Sequence, residues 1–225
     1  MSYRAVAFDM DGLILNTEVL YDQAGWELMR QYGKTYPAEL RQKIMGRPPH
    51  ECFVEMIRWN GLDVTPERLA VESHNIYLRM VREQGVELMP GLHTLLDWLE
   101  SHNIRKCICT SSVGPLVSET FDPHGLRPRF EFVLTSEEIT RGKPHPDIYL
   151  LAATRLGISP TEMVVLEDSR NGCYAAKAAR ATAVAVAAAH CQGIEYEMAD
   201  LKVKSLDDPR LFEFLAHSDN LSTPK

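Results

Sequence analysis

Short apolar runs and helical segments alternate along most of the chain. The first run, Ala5 to Phe8, ends at the acidic segment Asp9-Met10-Asp11-Gly12 and is typical of a buried strand that leads into a loop. Further strands are predicted at about 105–110, 130–134, 163–167 and 182–186, and helices at about 92–102, 114–122, 147–157 and 170–180. This alternation predicts right-handed βαβ units and a mainly parallel sheet.

The stretch from Thr17 to about Gly85 has a different pattern, with helical spacing and no convincing strand. We therefore predict an α/β fold: a doubly wound, Rossmann-like, mainly parallel core formed by residues 1–15 and 88–225. An all-helical cap domain, residues 16–87, is inserted after the first strand. A short strand near 201–203 and a helix near 209–216 are expected to complete the core.

Composition narrows the classes of function. A net charge of −7 without a run of like charges argues against a nucleic-acid polymer or a membrane surface as a partner. The five cysteines lack CxxC spacing, which favours neither a disulfide framework nor a zinc site and fits a cytoplasmic protein. The longest strongly apolar tract, residues 181–189, is far shorter than the ~20 residues of a membrane span.

Polar residues follow the predicted strands at the edge where open parallel sheets bind ligands. The clusters are Asp9-x-Asp11, Thr110-Ser111-Ser112, Lys143 in the loop before a helix, and Glu167-Asp168. Phosphoryl transfer needs a nucleophile, a proton donor for the leaving oxygen, and positive charge or donors around the phosphate. The two acidic clusters also form an oxygen-rich site that suits Mg²⁺.

Spacing gives the residues different predicted tasks. Asp9, held at the strand end, suits a nucleophile that becomes an aspartyl phosphate, and Asp11 suits the general acid and base while its backbone carbonyl faces the metal. Lys143 would neutralise phosphate and nucleophile charge, and Thr110 would donate a hydrogen bond. Serines 111 and 112, which could share the role of Thr110, are candidate substrate contacts, as are Glu18 and Arg47 of the helical insertion.

Each of these residues also has a structural interpretation. Lys143 could be a solvated loop lysine, Thr110 a capping hydroxyl, and Glu167-Asp168 an N-cap and first-turn acid pair before the 170–180 helix. Cys107 and Cys109, on one side of a strand, are interpreted as small buried apolar residues. The joint occurrence of all four clusters favours catalysis.

The same clusters carry a family resemblance. The sequence Phe8-Asp9-Met10-Asp11-Gly12-Leu13-Ile14-Leu15-Asn16-Thr17, followed by Thr110, Lys143-Pro144 and Glu167-Asp168-Ser169, resembles the four motifs of the haloacid dehalogenase-like hydrolases. The helical insertion is similar to the cap of the subgroup that includes β-phosphoglucomutase, 2-deoxyglucose-6-phosphatase and pseudouridine-5′-phosphatase. The resemblance implies that Asp9, the Asp11 carbonyl and Asp168 bind Mg²⁺ with help from Glu167, and it suggests a monomer.

Departures from the family pattern refine the expected activity. The dehalogenases lack the second aspartate, so Asp11 favours phosphate chemistry. Related mutases carry a histidine and an arginine in the cap where this chain has Tyr21 and Pro49, although Arg47 lies nearby in sequence. Arg180 stands at a helix end where the family usually has glycine, so either a left-handed residue costs stability or the helix ends differently.

We therefore predict a phosphoric monoester hydrolase that acts, with Mg²⁺, on a small-molecule phosphate ester through an aspartyl phosphate. A sugar phosphate or a nucleoside monophosphate is the expected substrate. A phosphosugar mutase of the β-phosphoglucomutase type is the alternative among enzymes. A receiver-like module or a catalytically idle binding module is the alternative of a different class, and neither accounts for the helical insertion together with all four motifs.

Overall fold

The computed structural model describes residues 3–44, 49–188, 191 and 195–217. The chain divides into two compact units, one formed by Met1–Asn16 with Glu87–Lys225 and the other by Thr17–Val86. We call them the α/β unit and the helical unit. Within the described ranges no helix combines the length and the apolar character needed to cross a membrane.

The α/β unit is built on a six-stranded sheet. Its strands are β1 (Ala5–Phe8), β2 (Arg105–Cys109), β3 (Val133–Leu134), β4 (Met163–Glu167), β5 (Thr182–Val186) and β6 (Leu201–Val203). They lie in the order β3-β2-β1-β4-β5-β6, and every adjacent pair is parallel. This order is that of doubly wound folds, whose ligands bind where the winding reverses, here beside β1. The predicted fold class is confirmed.

In the part of the chain that the structure describes, the sheet is accompanied by the helices α5 (Leu92–Ser101), α6 (Gly114–Thr120), α7 (Asp147–Leu156), α8 (Arg170–Ala178) and α9 (Pro209–His217). Several predicted elements are shorter than expected by one to three residues, and two of them adjoin 3₁₀ turns. The helix predicted to reach residue 122 ends at Thr120, and Asp122–His124 form a 3₁₀ turn in which Pro123 has no amide hydrogen to continue the α-helical hydrogen bonds. The strand predicted at 130–134 is assigned only over β3, which follows the 3₁₀ turn Arg127–Arg129, although the Glu131 amide already donates to the carbonyl of Lys106 at 2.8 Å.

The apolar core of the α/β unit lies on both faces of β1. Ala5 and Ala7 pack into a buried cluster with Cys107, Cys109 and side chains of α7 and α8. On the opposite side, Phe8 meets the edge of the Phe130 ring with centroids 5.6 Å apart. The interpretation of the two cysteines as buried apolar residues is confirmed.

The end of α8 confirms a left-handed residue at Arg180, whose φ is +65°. The Arg180 amide donates to the carbonyl of Lys177 at 2.9 Å, and the Ala181 amide donates to the carbonyl of Ala176 at 3.0 Å. These two bonds form a Schellman motif, in which glycine is the preferred residue at the position of Arg180.

The helical unit consists of α1 (Thr17–Gln31), α2 (Ala38–Ile44), α3 (Pro49–Asn60) and α4 (Pro66–Gln84). Its interior contains Leu28, Leu40 and Leu69, together with Tyr77, which stacks on Tyr21 with ring centroids 4.3 Å apart. Helix α4 begins after Thr65, whose hydroxyl accepts a hydrogen bond from the Arg68 amide at 3.3 Å and so caps the helix. The absence of strands predicted for this stretch holds for the residues described.

Candidate active site

The loop after β1 holds the first two aspartates in place. The Asp9 amide donates to the carbonyl of Leu166 at 3.0 Å, so the backbone pairing of β1 with β4 continues into the site. Three amides, those of residues 13, 14 and 15, donate to the Met10 carbonyl, and Gly12 adopts a φ of +79° that favours glycine. Asp9 therefore stands at a rigid strand end, with Asp11 at the start of a tight turn.

Asp11 is joined to the cluster after β2. Its Oδ2 accepts hydrogen bonds from the hydroxyls of Ser112, at 2.7 Å, and Thr110, at 3.2 Å. The Thr110 hydroxyl also accepts from the Ser112 amide at 3.0 Å. Two of the three predicted hydroxyl residues thus orient the Asp11 carboxyl group, while Ser111 is exposed to solvent.

Lys143 lies in the interior and not in solvent, and only 6% of its side chain is exposed. Its ammonium donates to Asp9 Oδ1 at 2.5 Å, to Glu167 Oε1 at 2.6 Å and to the carbonyl oxygen of Cys109 at 3.0 Å. All three N–H groups of the ammonium have acceptors, so the position of Nζ is fixed by residues at the ends of β1, β2 and β4.

Glu167 is fully buried and is bound through both carboxylate oxygens. Oε1 accepts from Lys143 and from the Tyr149 hydroxyl, each at 2.6 Å. Oε2 accepts from the Ser169 hydroxyl at 2.8 Å and the Ser169 amide at 3.3 Å. A carboxylate has about four acceptor positions, and the four hydrogen bonds from Lys143, Tyr149 and Ser169 already occupy those of Glu167. Glu167 therefore suits a supporting role beside a metal better than that of a direct ligand.

The N-terminus of α8 is shaped around Glu167. Ser169 caps this helix, because its hydroxyl accepts from the Gly172 amide at 3.0 Å. The alternative that Glu167-Asp168 supplies the N-cap is therefore wrong. A Cβ atom at Gly172 would lie 1.8 Å from Cδ of Glu167, so a residue without a side chain is required where the helix meets the carboxylate.

Asp168 continues the same strand end. Its backbone carbonyl accepts hydrogen bonds from the hydroxyl of Tyr196 and, at 3.6 Å, from the Cys191 thiol. Tyr196 and Cys191 belong to a small buried cluster with Cys173 and Ala185. The backbone of Asp168 is thus held from the segment that follows β5, which the sequence analysis had not connected with the site.

The carboxylates of Asp9, Glu167 and Asp168 form a group that could hold a cation. They are 7%, 0% and 9% exposed, and each offers an oxygen within 4.8 Å of those offered by the other two. Lys143 supplies one positive charge against these three carboxylates, so the buried site has surplus negative charge. Hard oxygen ligands and this surplus fit Mg²⁺.

Burial and the neighbouring charges shift the pKa values of Asp9 and Lys143. Burial, with the neighbouring carboxylates, raises the pKa of Asp9 well above its ordinary value, although the Lys143 ammonium opposes the shift. Burial lowers the pKa of Lys143, but the attraction of Asp9 and Glu167 outweighs it, and the net shift is upward. Lys143 therefore remains charged at neutral pH.

The predicted substrate contacts of the insertion belong to the helical unit. Glu18 lies exposed in the first turn of α1, and Tyr21, 41% exposed, is on the same helix. Arg47 lies outside the described residues, as does the side chain of Pro49. The substrate-binding roles of Glu18 and Arg47 stay predictions.

Three residues that contact the site were not predicted from the sequence: Tyr149 and Gly172 at the Glu167 carboxylate, and Tyr196 at the backbone carbonyl of Asp168. A glycine five residues after Glu167, near the start of a predicted helix, was a usable signal of close approach. The two tyrosines carry no such signal, because their partners depend on how α7 and the segment after β5 pack on the sheet.

Comparison with known proteins identifies the family. The family model described as haloacid dehalogenase-like hydrolase matches residues 6–186. A phosphorylated carbohydrates phosphatase of Thermotoga maritima is 32% identical over 179 residues, which cover 78% of this chain and 81% of the relative. A probable pseudouridine-5′-phosphatase of Drosophila melanogaster is 36% identical over 179 residues, which cover 76% of each chain.

A solved structure gives the same result for the fold. A haloacid dehalogenase-like protein of Agrobacterium tumefaciens superposes with a TM-score of 0.82 at 23% identity, covering 96% of this chain and all of the other. The predicted resemblance and enzyme class are both confirmed. The chain belongs to the haloacid dehalogenase-like hydrolases and is a phosphoric monoester hydrolase.

Proposed function

We propose that this protein is a Mg²⁺-dependent phosphatase that transfers the phosphoryl group of a small phosphate monoester to Asp9 and then to water. The observation that carries the proposal is the contact of Lys143 Nζ with Asp9 Oδ1 at 2.5 Å, inside a group of three buried carboxylates. A lysine so placed can screen the charge repulsion between a carboxylate nucleophile and a phosphate.

In the first step, a carboxylate oxygen of Asp9 attacks phosphorus and the bond between phosphorus and the ester oxygen breaks. The proton that the departing alkoxide needs comes from the carboxyl group of Asp11, which thereby becomes a carboxylate. The hydroxyls of Ser112 and Thr110 orient this group through Oδ2. The predicted hydrogen bond of Thr110 to the phosphate remains a proposal, since its partner in the structure is Asp11.

In the second step, the Asp11 carboxylate accepts a proton from water, and the water oxygen attacks phosphorus of the aspartyl phosphate. The bond from phosphorus to Asp9 breaks, inorganic phosphate leaves, and Asp9 is again a carboxylate while Asp11 is again protonated. Lys143 stays near the Asp9 oxygen in both steps and balances the charge that returns to it.

Asp9, Asp168 and the backbone carbonyl of Asp11 are the proposed ligands of Mg²⁺, with Glu167 in support. Bound there, the ion would supply positive charge for the phosphate oxygens and for the carboxylate that attacks them. The surplus negative charge of the buried site supports this assignment.

The substrate class is proposed to be a sugar phosphate or a nucleoside monophosphate. One relative is named for phosphorylated carbohydrates and the other for a nucleoside 5′-phosphate, and both compounds carry a phosphate on a sugar. We propose that the α/β unit performs the chemistry and that the helical unit, with Glu18 and Arg47, acts as the cap domain that selects among such esters.

Phosphate release from a panel of sugar phosphates, polyol phosphates and nucleoside monophosphates tests the proposal. Wild type should release phosphate with Mg²⁺ and not with a chelator, and Asp9→Asn should lower kcat at least about 10³-fold because it removes the nucleophile. Asp97→Asn, an exposed carboxylate paired with Arg129, is the matched control and should retain kcat.

Turnover by a folded Asp9→Asn variant close to that of wild type would contradict the assigned nucleophile. Turnover that persists in the chelator would contradict the metal requirement. No release from any ester by folded, Mg²⁺-loaded wild type would contradict the phosphatase proposal, and a sugar bisphosphate assay would then address the mutase alternative.

A further inference from the structure

We propose that Tyr149 is a positioning residue of this hydrolase, whose phenol fixes the Glu167 carboxylate and, through it, the Lys143 ammonium beside Asp9. The inference rests on the proposed function, in which Lys143 assists the attack of Asp9 on phosphorus. Tyr149 itself is not expected to touch the substrate, because it is fully buried.

The first contact that supports this role joins Tyr149 to the carboxylate. Tyr149 lies in the first turn of α7, and its hydroxyl donates to Glu167 Oε1 at 2.6 Å. The same oxygen accepts from Lys143 Nζ at 2.6 Å. One carboxylate oxygen therefore receives both groups, and rotation of Glu167 away from the phenol would also move it from the ammonium.

The second contact joins Tyr149 to the ammonium directly. Nζ of Lys143 lies 5.3 Å from the centroid of the Tyr149 ring, within the range of a cation–π interaction. The ring thus limits the position of Lys143 from one side, while the hydroxyl fixes the carboxylate to which Lys143 is bonded.

These contacts matter for chemistry because Lys143 has no spare hydrogen-bond donor. Its three N–H groups go to Asp9, Glu167 and the carbonyl of Cys109. A displacement of Glu167 must therefore lengthen at least one of the other two contacts or leave the ammonium with an unmatched acceptor. The contact with Asp9 is the one that the proposed reaction uses.

The phenol is suited to a permanent donor role. Burial, followed by the negative charge of Glu167, raises the pKa of Tyr149 well above its ordinary value, so the hydroxyl keeps its proton at neutral pH. A phenylalanine would fill the same apolar volume beside Ile148, Ala152 and Ala153. Unlike the ring, the buried hydroxyl of Tyr149 needs a hydrogen-bond acceptor, and that acceptor is the Glu167 carboxylate of the candidate site.

Steady-state kinetics of Tyr149→Phe, with Tyr77→Phe as a matched control, test the inference. Tyr77 is equally buried but belongs to the helical unit. We expect Tyr149→Phe to lower kcat about tenfold with KM changed less than about twofold, as is usual for residues that orient a ligand or catalytic group. Tyr77→Phe should retain kcat. A kcat of Tyr149→Phe within twofold of wild type would overturn the proposal.

The double variant separates positioning from simple loss of core packing. If Tyr149 acts through Glu167, adding Tyr149→Phe to Glu167→Gln should lower kcat by less than about twofold beyond Glu167→Gln alone. If the fold-decrease in kcat of the double variant instead equals the product of the two single decreases, Tyr149 acts independently of Glu167 and the inference is wrong.

A crystal structure of Tyr149→Phe decides the geometry without any turnover, so failure of the phosphatase proposal would not leave the inference undecided. We expect Glu167 to rotate and Lys143 Nζ to move beyond 3.5 Å from Asp9 Oδ1 or Glu167 Oε1, compared with 2.5 and 2.6 Å here. Retention of both contacts at hydrogen-bond distance would overturn the inference.

Discussion

The two units of this protein use charged side chains in opposite ways. In the α/β unit, Lys143 binds Asp9 and Glu167 in the interior, where all three side chains are at most a tenth exposed. In the helical unit, charged residues pair on the surface, as in Arg68 with Glu72 at 2.8 Å, where the arginine side chain is 66% exposed.

The contrast distinguishes the buried charges that we propose for catalysis from the exposed charges that remain in contact with water. Exposed ion pairs contribute about 0–1 kcal/mol and lose little water. Buried charges require desolvation that costs several kcal/mol per ion. This fold buries Asp9, Lys143, Glu167 and Asp168 at one sheet edge, so that edge is not optimised for stability. Such clusters are candidates for function, here in a chain that the comparisons show to be a phosphoric monoester hydrolase.

The largest expected effect comes from removing the buried cation. Lys143→Met should lower kcat by about 10²–10³-fold, since the charge beside the attacking oxygen is lost. It should also lower the free energy of unfolding by about 3–5 kcal/mol, because Asp9 and Glu167 lose their buried partner. Kinetics and urea denaturation measure the two quantities.

Lys106→Met is the control for this experiment. Lys106 is also buried, but it lies on β2 and pairs with Glu100 at 3.1 Å, away from the carboxylates of the site. This variant should retain kcat within about twofold while losing about 1 kcal/mol of stability. Equal kcat values for Lys143→Met and Lys106→Met would contradict a catalytic role for the charge of Lys143 beyond that of any buried lysine.

A smaller effect should follow from filling the space beside Glu167. In Gly172→Ala the new Cβ would lie 1.8 Å from Cδ of Glu167, so the carboxylate must move from its four donors. We expect kcat to fall about 10–100-fold and the free energy of unfolding to fall by about 1–3 kcal/mol. Gly142→Ala, where a Cβ meets nothing within 4 Å, should retain both values. Equal effects of the two substitutions would contradict the close approach.

The smallest effect is expected in the helical unit. Glu72 accepts from Arg68 at 2.8 Å and from Tyr32 at 2.7 Å, and the Arg68 hydrogen bond in particular lowers the pKa of Glu72 below its ordinary 4.5. A depressed carboxylate pKa adds stability above about pH 4.5 that is lost as the pH falls further. Glu72→Gln should lower Tm by about 1–3 °C at pH 7 and by less at pH 3. An equal difference at both pH values would contradict this assignment.

The site could be located from the sequence because parallel strands bring their carboxyl ends to one edge. Asp9, Thr110 and Glu167 follow β1, β2 and β4, and these strands are neighbours in the sheet. The partners that fix each side chain could not be predicted. Tyr149 reaches Glu167 only through the packing of α7, and Ser112 reaches Asp11 across 101 positions of sequence.

Element boundaries were predicted less well than the elements themselves. The helix predicted to reach residue 122 ends before the 3₁₀ turn that contains Pro123, and β3 begins after the 3₁₀ turn that contains Pro128. In the helical unit, the pattern predicts helices but not which exposed residues meet a substrate, because helical spacing alone does not distinguish Glu18 and Tyr21 from the other exposed side chains of α1. The sequence of this chain therefore predicts candidate catalytic residues better than it predicts the residues that select the substrate.

Trapping the covalent intermediate tests directly whether Asp9 is the nucleophile. Wild type turning over a phosphate ester is quenched and treated with borohydride, which reduces an aspartyl phosphate to homoserine, and the peptide that contains residues 5–15 is sequenced by mass spectrometry. We predict homoserine at position 9 with substrate, and unmodified Asp9 without substrate and in Lys143→Met under the same brief incubation. Full turnover without homoserine at position 9, or with homoserine at another aspartate, would contradict Asp9 as the nucleophile.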